Sequence, residues 1–257
     1  MENKFNSENE KIFLNSLVTD YRDDSPYSRI KKDIIFNLIC GVIEIDETKR
    51  ALQMGCSNGY ETEQLSTLFK SLDVVDGAEA FIQKLSRDSK LQNVNFIFSL
   101  FEEFEQEEVS LKYDYVFCNY VLEHVYETKS VLKQISKILK PNGVLIVVVP
   151  NAHALSRRIA SKMGLLNELE TLTENDLRHG HRRVYTFKSL EEDIKQAGFV
   201  IQETKGVVFK ILADFQLNKL LIDGFLTKQH ISAMQALSEE PENIRYSDSI
   251  FLVARKA

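Results

Sequence analysis

Short apolar runs at residues 50–54, 72–75, 94–98, 114–118 and 144–149 alternate with stretches whose apolar residues recur at helical spacing, near 60–69, 78–87 and 127–139. Strand-length runs that are apolar throughout are buried on both faces, and amphipathic helices placed between them cover those faces. The pattern predicts an α/β, doubly wound, mostly parallel sheet with helices on both sides. Strand-like segments at 199–211 and "DSIFLVARK" bring the strand number to seven, the last one expected antiparallel.

The rest of the chain divides around that core. Residues 1–45 are expected to form an N-terminal helical lid, with an amphipathic helix over 27–45. Residues 46–150 form the Rossmann-like core. Residues 151–185 are mixed and polar, expected to form a small helical cap. Residues 186–257 complete the core, with a helical excursion at 214–236. Thr186 or Ser189 caps a late helix that Gly198 closes, and "LKPNG" at 139–143 reads as a helix stop and turn. "FEEFEQEE" at 101–108 reads as a solvated helix face.

Within this frame "ALQMGCSNGYET" (51–62) places a glycine loop after the first strand, and Asp76 ends the second strand 17 residues beyond Gly59. An acid there suits ribose hydroxyls at the carboxyl edge of a parallel sheet. A dinucleotide loop needs G-x-G-x-x-G, and counting from Gly55 this chain has Ser57 and Tyr60 in place of the later glycines. No G-K-[ST] follows, so a phosphate-cradling loop fails too. What is left is a loop for a nucleoside without phosphates.

"LQMGCSNGYET" resembles motif I of class I S-adenosylmethionine-dependent methyltransferases, of the small-molecule and sugar-modifying type. The resemblance continues in order through Asp76, "YDYVFCNYVLEHV", "LKPNGVLIVVVPN" and "GHRRVYTFKSLEEDIKQAGF", covering about residues 25–211. It implies an S-adenosyl-L-methionine cofactor held by Gln53, Gly55, Cys56, Ser57, Gly59, Asp76, Phe101 and Asn119. The chain departs from the family pattern at three positions. Gln53 replaces the acid that receives the methionine ammonium. Ser57 replaces a glycine and fits with a negative φ or a shifted loop. Leu100 stands at an adenine-binding acid, which leaves Phe101 to cover the ring.

His181 and His124 are the candidate bases, since an imidazole titrates near neutrality. Tyr120, Asn151, His179, Arg182, Arg183 and Tyr185 are the candidate acceptor contacts, the arginine forks suiting an anionic group. Some relatives bind a metal through such an "E-H" segment and a later His. Tyr120 stands where they carry a further carboxylate, so no metal is expected.

The expected function is O-methylation of a small polar acceptor, a sugar- or nucleotide-linked intermediate of surface-polysaccharide synthesis. An N-methyltransferase, or a non-catalytic module retaining the fold, is the alternative, and a nicotinamide-dependent reductase the weakest rival. The net charge of −6 argues against nucleic acid as partner. No apolar run reaches spanning length and the N-terminus lacks a signal-peptide pattern, so no membrane and a cytoplasmic location are expected. Three widely spaced cysteines suit a reducing compartment. The sequence leaves the oligomeric state open.

Overall fold

Each apolar run becomes a strand in the computed structural model, which describes residues 6–18, 24–104 and 112–256. Half of the acidic run at 101–108, residues 105–108, lies outside the described residues. The strands are β1 (Ala51–Met54), β2 (Leu72–Asp76), β3 (Val94–Phe98), β4 (Tyr113–Asn119), β5 (Leu139–Pro150), β6 (Phe199–Val207) and β7 (Ser249–Lys256). They form one sheet in the order β3-β2-β1-β4-β5-β7-β6. β7 runs antiparallel to both its neighbours, and β1 to β5 pair in parallel.

Alternate residues of β5 feed opposite cores. Leu145, Val147 and Val149 pack with Leu52, Val116, Leu132, Ile135 and Leu190 on one face. Val144, Ile146 and Val148 pack with Ala51, Phe117, Ile35, Ile39 and Leu65 on the other. Burial on both faces is what makes the strands read as continuous apolar runs. The first layer is closed by α5 (Thr128–Ile138) and α8 (Phe187–Gln196); the second by α2 (Pro26–Cys40), α3 (Tyr60–Ser66) and the α9/α10 pair (Asp214–Ile222 and Lys228–Ser238). The remaining helices are α1 (Ser7–Leu17), α4 (Glu79–Leu85), α6 (Leu155–Lys162) and α7 (Glu174–Arg178).

Helix ends follow local chemistry. Ser25 accepts the Ser28 N–H and Pro26 fills the first helical position of α2. Thr186 and Ser189 cap α8 reciprocally, and Gly198 follows it at φ +85°. Three expectations change. α2 stops at Cys40 rather than 45. The predicted helix over 214–236 is two helices, broken where Gly224 takes φ +77° and Thr227 restarts the chain by bonding His230. "LKPNG" does stop α5, at Ile138, but its turn lies inside β5 as a bulge: Asn142 takes φ +61°, and pairing jumps from Tyr113–Leu139 to Tyr115–Val144.

Candidate active site

The carboxyl ends of β1, β2 and β4 open onto one groove with about 800 Å³ of free space including its mouth. Gln53, Gly55, Cys56, Ser57, Asp76, Phe101, Asn119 and Tyr120 all line it. The loop after β1 is wound left-handed at three points, Gly55 (φ +78°), Ser57 (+46°) and Gly59 (+87°). Ser57 therefore takes a left-handed conformation, not the negative φ that was one of the two expected ways to fit a serine here. The cost for a non-glycine residue is about 1–2 kcal/mol. A Cβ on Gly59 would lie 2.5 Å from Leu85 Cδ2, which explains glycine there.

Asp76 ties this loop to β2. Its Oδ2 accepts the Cys56 N–H at 2.8 Å and its Oδ1 the Ala78 N–H at 2.8 Å. Burial pushes the carboxyl up, and the hydrogen bonds from Cys56, Ala78 and Ser57 oppose it only in part. A carboxylate accepts about four hydrogen bonds, and one of those here comes from the Cys56 thiol, 3.3 Å from Oδ2, a weak donor that a ligand hydroxyl can displace.

One wall is apolar: Ala78, Phe81, Phe101 and Val121, with Leu14 and Leu17 of α1. Leu100 is buried away from the groove against Gly77. α1 reaches the wall because Glu10 receives both terminal nitrogens of Arg182, each at 2.8 Å. The Arg182 guanidinium also lies 5.3 Å from the Phe13 ring centroid.

The other end is polar. Gln53 Nε2 donates to the Gly55 carbonyl at 3.0 Å, and Asn119 Nδ2 donates to Glu61 at 2.6 Å. Gln53 Oε1 and Asn119 Oδ1 are buried and find no hydrogen-bond partner among the described residues. Lys32 reaches the same end from α2, with Nζ 3.5 Å from Asn58 Oδ1. Neither Lys32 nor Glu61 was expected from the sequence. A signal was available for Lys32, which precedes Ile35 and Ile39 by three and seven residues and so shares their buried stripe, where a charge needs a reason.

The histidines divide differently from expectation. His124 and His179 line the groove; His181 stands behind it, its ring edge-on to His124 at 4.7 Å between centroids. His181 Nδ1 lies 3.5 Å from Asp176 Oδ1. Burial, helped by the charge of His181, holds His124 down at about 3. Glu123, which the sequence offers only as the acid of the "E-H" segment, is 1% exposed, and neither carboxylate oxygen finds a partner among the described residues. Burial pushes its carboxyl up to about 7, against the pull of His181. One potential ligand atom from each of Glu123, His124 and His181 lies within 4.8 Å of the others, a spacing that could hold a cation.

Four proposed acceptor contacts point elsewhere. Arg182 bonds Glu10 and the His124 carbonyl. Arg183 donates to the carbonyls of Leu122 and Val125, both at 2.6 Å, and of Tyr126 at 3.0 Å. Asn151 donates to the Arg245 and Ser247 carbonyls. Tyr185 is buried with its hydroxyl against Thr128. The segment after β4 leaves these carbonyls without ladder partners, and the arginine forks satisfy them. Tyr120 does face the groove, at φ +54°, with its hydroxyl on Ser249 at 3.0 Å.

A family profile described as a methyltransferase domain matches residues 29–204. The ubiquinone biosynthesis O-methyltransferase of Rickettsia akari is 26% identical over 200 residues, 73% of this chain and 76% of that protein. The malonyl-[acyl-carrier protein] O-methyltransferase of Bacillus anthracis is 25% identical over 168 residues, 60% of this chain and 61% of that one. Among solved structures, the N-methyltransferase NodS of Bradyrhizobium japonicum WM9, in complex with S-adenosyl-L-homocysteine, superposes with a TM-score of 0.57. It shares 14% identity, covers 96% of this chain and 98% of its own, and is a likeness of fold.

Proposed function

The chain belongs to the class I S-adenosylmethionine-dependent methyltransferases, and from that premise we propose that it methylates a hydroxyl oxygen of a small polar acceptor at the groove mouth. The groove fits the cofactor: Asp76 and the loop suit the ribose, Phe101 and Ala78 the adenine, and the polar end the amino acid. When bound, the cofactor supplies a methyl group already activated on a sulfonium, so what this chain must add is alignment and removal of one proton.

The observation that carries the reading is Glu123, a carboxyl held near 7 beside the histidine that faces the groove. A hydroxyl acceptor needs a base, whereas a neutral amine does not. His124 orients the acceptor hydroxyl, and Glu123 holds the released proton. Both curated relatives are named as O-methyltransferases, which supports oxygen over nitrogen. His124, His179 and Tyr120, polar groups that line the groove, favour a polar acceptor, and a sugar-linked hydroxyl compound is the first to screen. Arg182 and Arg183 are held by protein groups and give an anionic acceptor no fork to bind. A reducing cytoplasm is the proposed location: Cys40, Cys56 and Cys118 are unpaired, and no described helix is long and apolar enough to cross a membrane.

The same triad carries a second reading, a divalent cation on Glu123, His124 and His181 that would lower the acceptor hydroxyl's pKa. Dialysis against a chelator, followed by transfer assays with isotope-labelled methyl donor, separates the two. Undiminished transfer supports the carboxylate base; loss restored by magnesium or manganese supports the metal. Transfer to amines alone from a broad acceptor panel would overturn O-methylation.

A further inference from the structure

We propose that Glu61, from the helix following the glycine loop, is the acid that receives the ammonium of the cofactor's amino-acid tail, in place of the missing acid at Gln53. The inference rests on the cofactor reading above and names the group that makes this groove selective for an amino acid.

The argument begins with two amides whose orientation is fixed. Asn119 must turn its Nδ2 to Glu61, because a carboxylate only accepts, and this leaves Oδ1 as the outward atom. Gln53 must turn its Nε2 to the Gly55 carbonyl, which leaves Oε1 outward by the same logic. Gln53 is 2% exposed and Asn119 8%, and both oxygens are orphans among the described residues. Two buried acceptors without donors are costly unless a ligand brings donors.

Glu61 adds a charged acceptor to the same wall of the groove. Two amide oxygens without donors beside a negatively charged carboxylate make an acceptor-rich wall, so the complementary group is a cation with several N–H bonds. A primary ammonium has three. Lys32 lines the same end and supplies the opposite charge, the partner for a carboxylate. An acid and a base at one end of the groove fit a zwitterion. A nucleoside ending in a plain thioether would gain nothing from them.

Glu61 holds this place through the fold. It is the second residue of α3, whose start is set by the left-handed Gly59, and Asn119 is the last residue of β4. The bond between them therefore joins the loop's helix to the central strand at the point where the tail must pass.

Glu61→Gln is the test, because the glutamine oxygen can still accept from Asn119 while the charge is lost. Titration calorimetry would compare S-adenosylhomocysteine with 5′-methylthioadenosine, which lacks the amino-acid tail, on wild type and variant. The variant should bind S-adenosylhomocysteine about tenfold or more weakly, with methylthioadenosine affinity within about twofold of wild type. Unchanged preference for S-adenosylhomocysteine in the variant overturns the assignment. Parallel loss of both ligands also overturns it, since that marks Glu61 as a prop for the loop. Wild type that binds neither ligand fails the cofactor reading itself, a result distinct from either.

Discussion

The Glu123 carboxyl moves from an ordinary value of 4.5 to about 7 on burial, so the folded state holds its proton more tightly than the unfolded chain. Its contribution to stability is complete below about pH 4.5 and is lost as pH rises through 7, a cost on the order of 3 kcal/mol at pH 8. Glu123→Gln is thus expected to raise the denaturation midpoint at pH 8, with little change at pH 4. Turnover should fall by about 10²–10⁴-fold. Chemical denaturation at the two pH values, beside a transfer assay, checks both signs; lower stability at pH 8 would contradict the buried-charge account. Wild-type turnover should also fall as pH drops below about 7, following the same carboxyl. At this scale the sequence was legible where a residue type and a motif agreed: Gly55, Asp76 and Phe101 all reach the groove, while Gly59 starts α3 without lining it. It was not legible where the role depends on what burial does. Glu123 looks like any helix-start acid until the fold removes its solvent. Arg182 and Arg183 look like ligand clamps until the carbonyls they satisfy become visible.

Elements place those side chains, and α1 carries part of the groove's apolar wall. Its Glu10–Arg182 pair joins it to the strip that carries His179 and His181, while Leu14 and Leu17 close the apolar wall. Arg182→Ala leaves a mostly buried Glu10 without its partner and removes support from the His124 carbonyl. We expect faster hydrogen exchange across α1 and a raised dissociation rate for S-adenosylhomocysteine, read by exchange mass spectrometry and stopped flow; an unchanged α1 would show that its apolar side suffices. Gly59→Ala tests the loop. The new methyl meets Leu85 and the φ of +87° disfavours it, so the unfolding midpoint should drop by the equivalent of about 1–3 kcal/mol. Element type was readable from periodicity, and the α8 caps from Thr186 and Gly198. Boundaries were less so. "LKPNG" carries turn residues that a bulge inside β5 uses equally well, and the break between α9 and α10 depends on one glycine that helical spacing alone does not reveal.

For the whole molecule, the strand order puts β1 and β4 at the centre with β2 beside them, so the glycine loop, Asp76 and the end of β4 open on one side. That convergence was implied by the order of motifs along the chain. The cap was not, because its polar residues are shared between the groove, α1 and the carbonyls after β4, and a linear sequence does not say which. The central claim is that this convergence holds an adenosyl amino acid. Calorimetric titration of the full chain with S-adenosylhomocysteine, with NAD titrated in parallel, tests it most directly. The account predicts saturable one-to-one binding of S-adenosylhomocysteine at micromolar concentration and no heat with NAD. Silence with S-adenosylhomocysteine, or binding of NAD in its place, would contradict it.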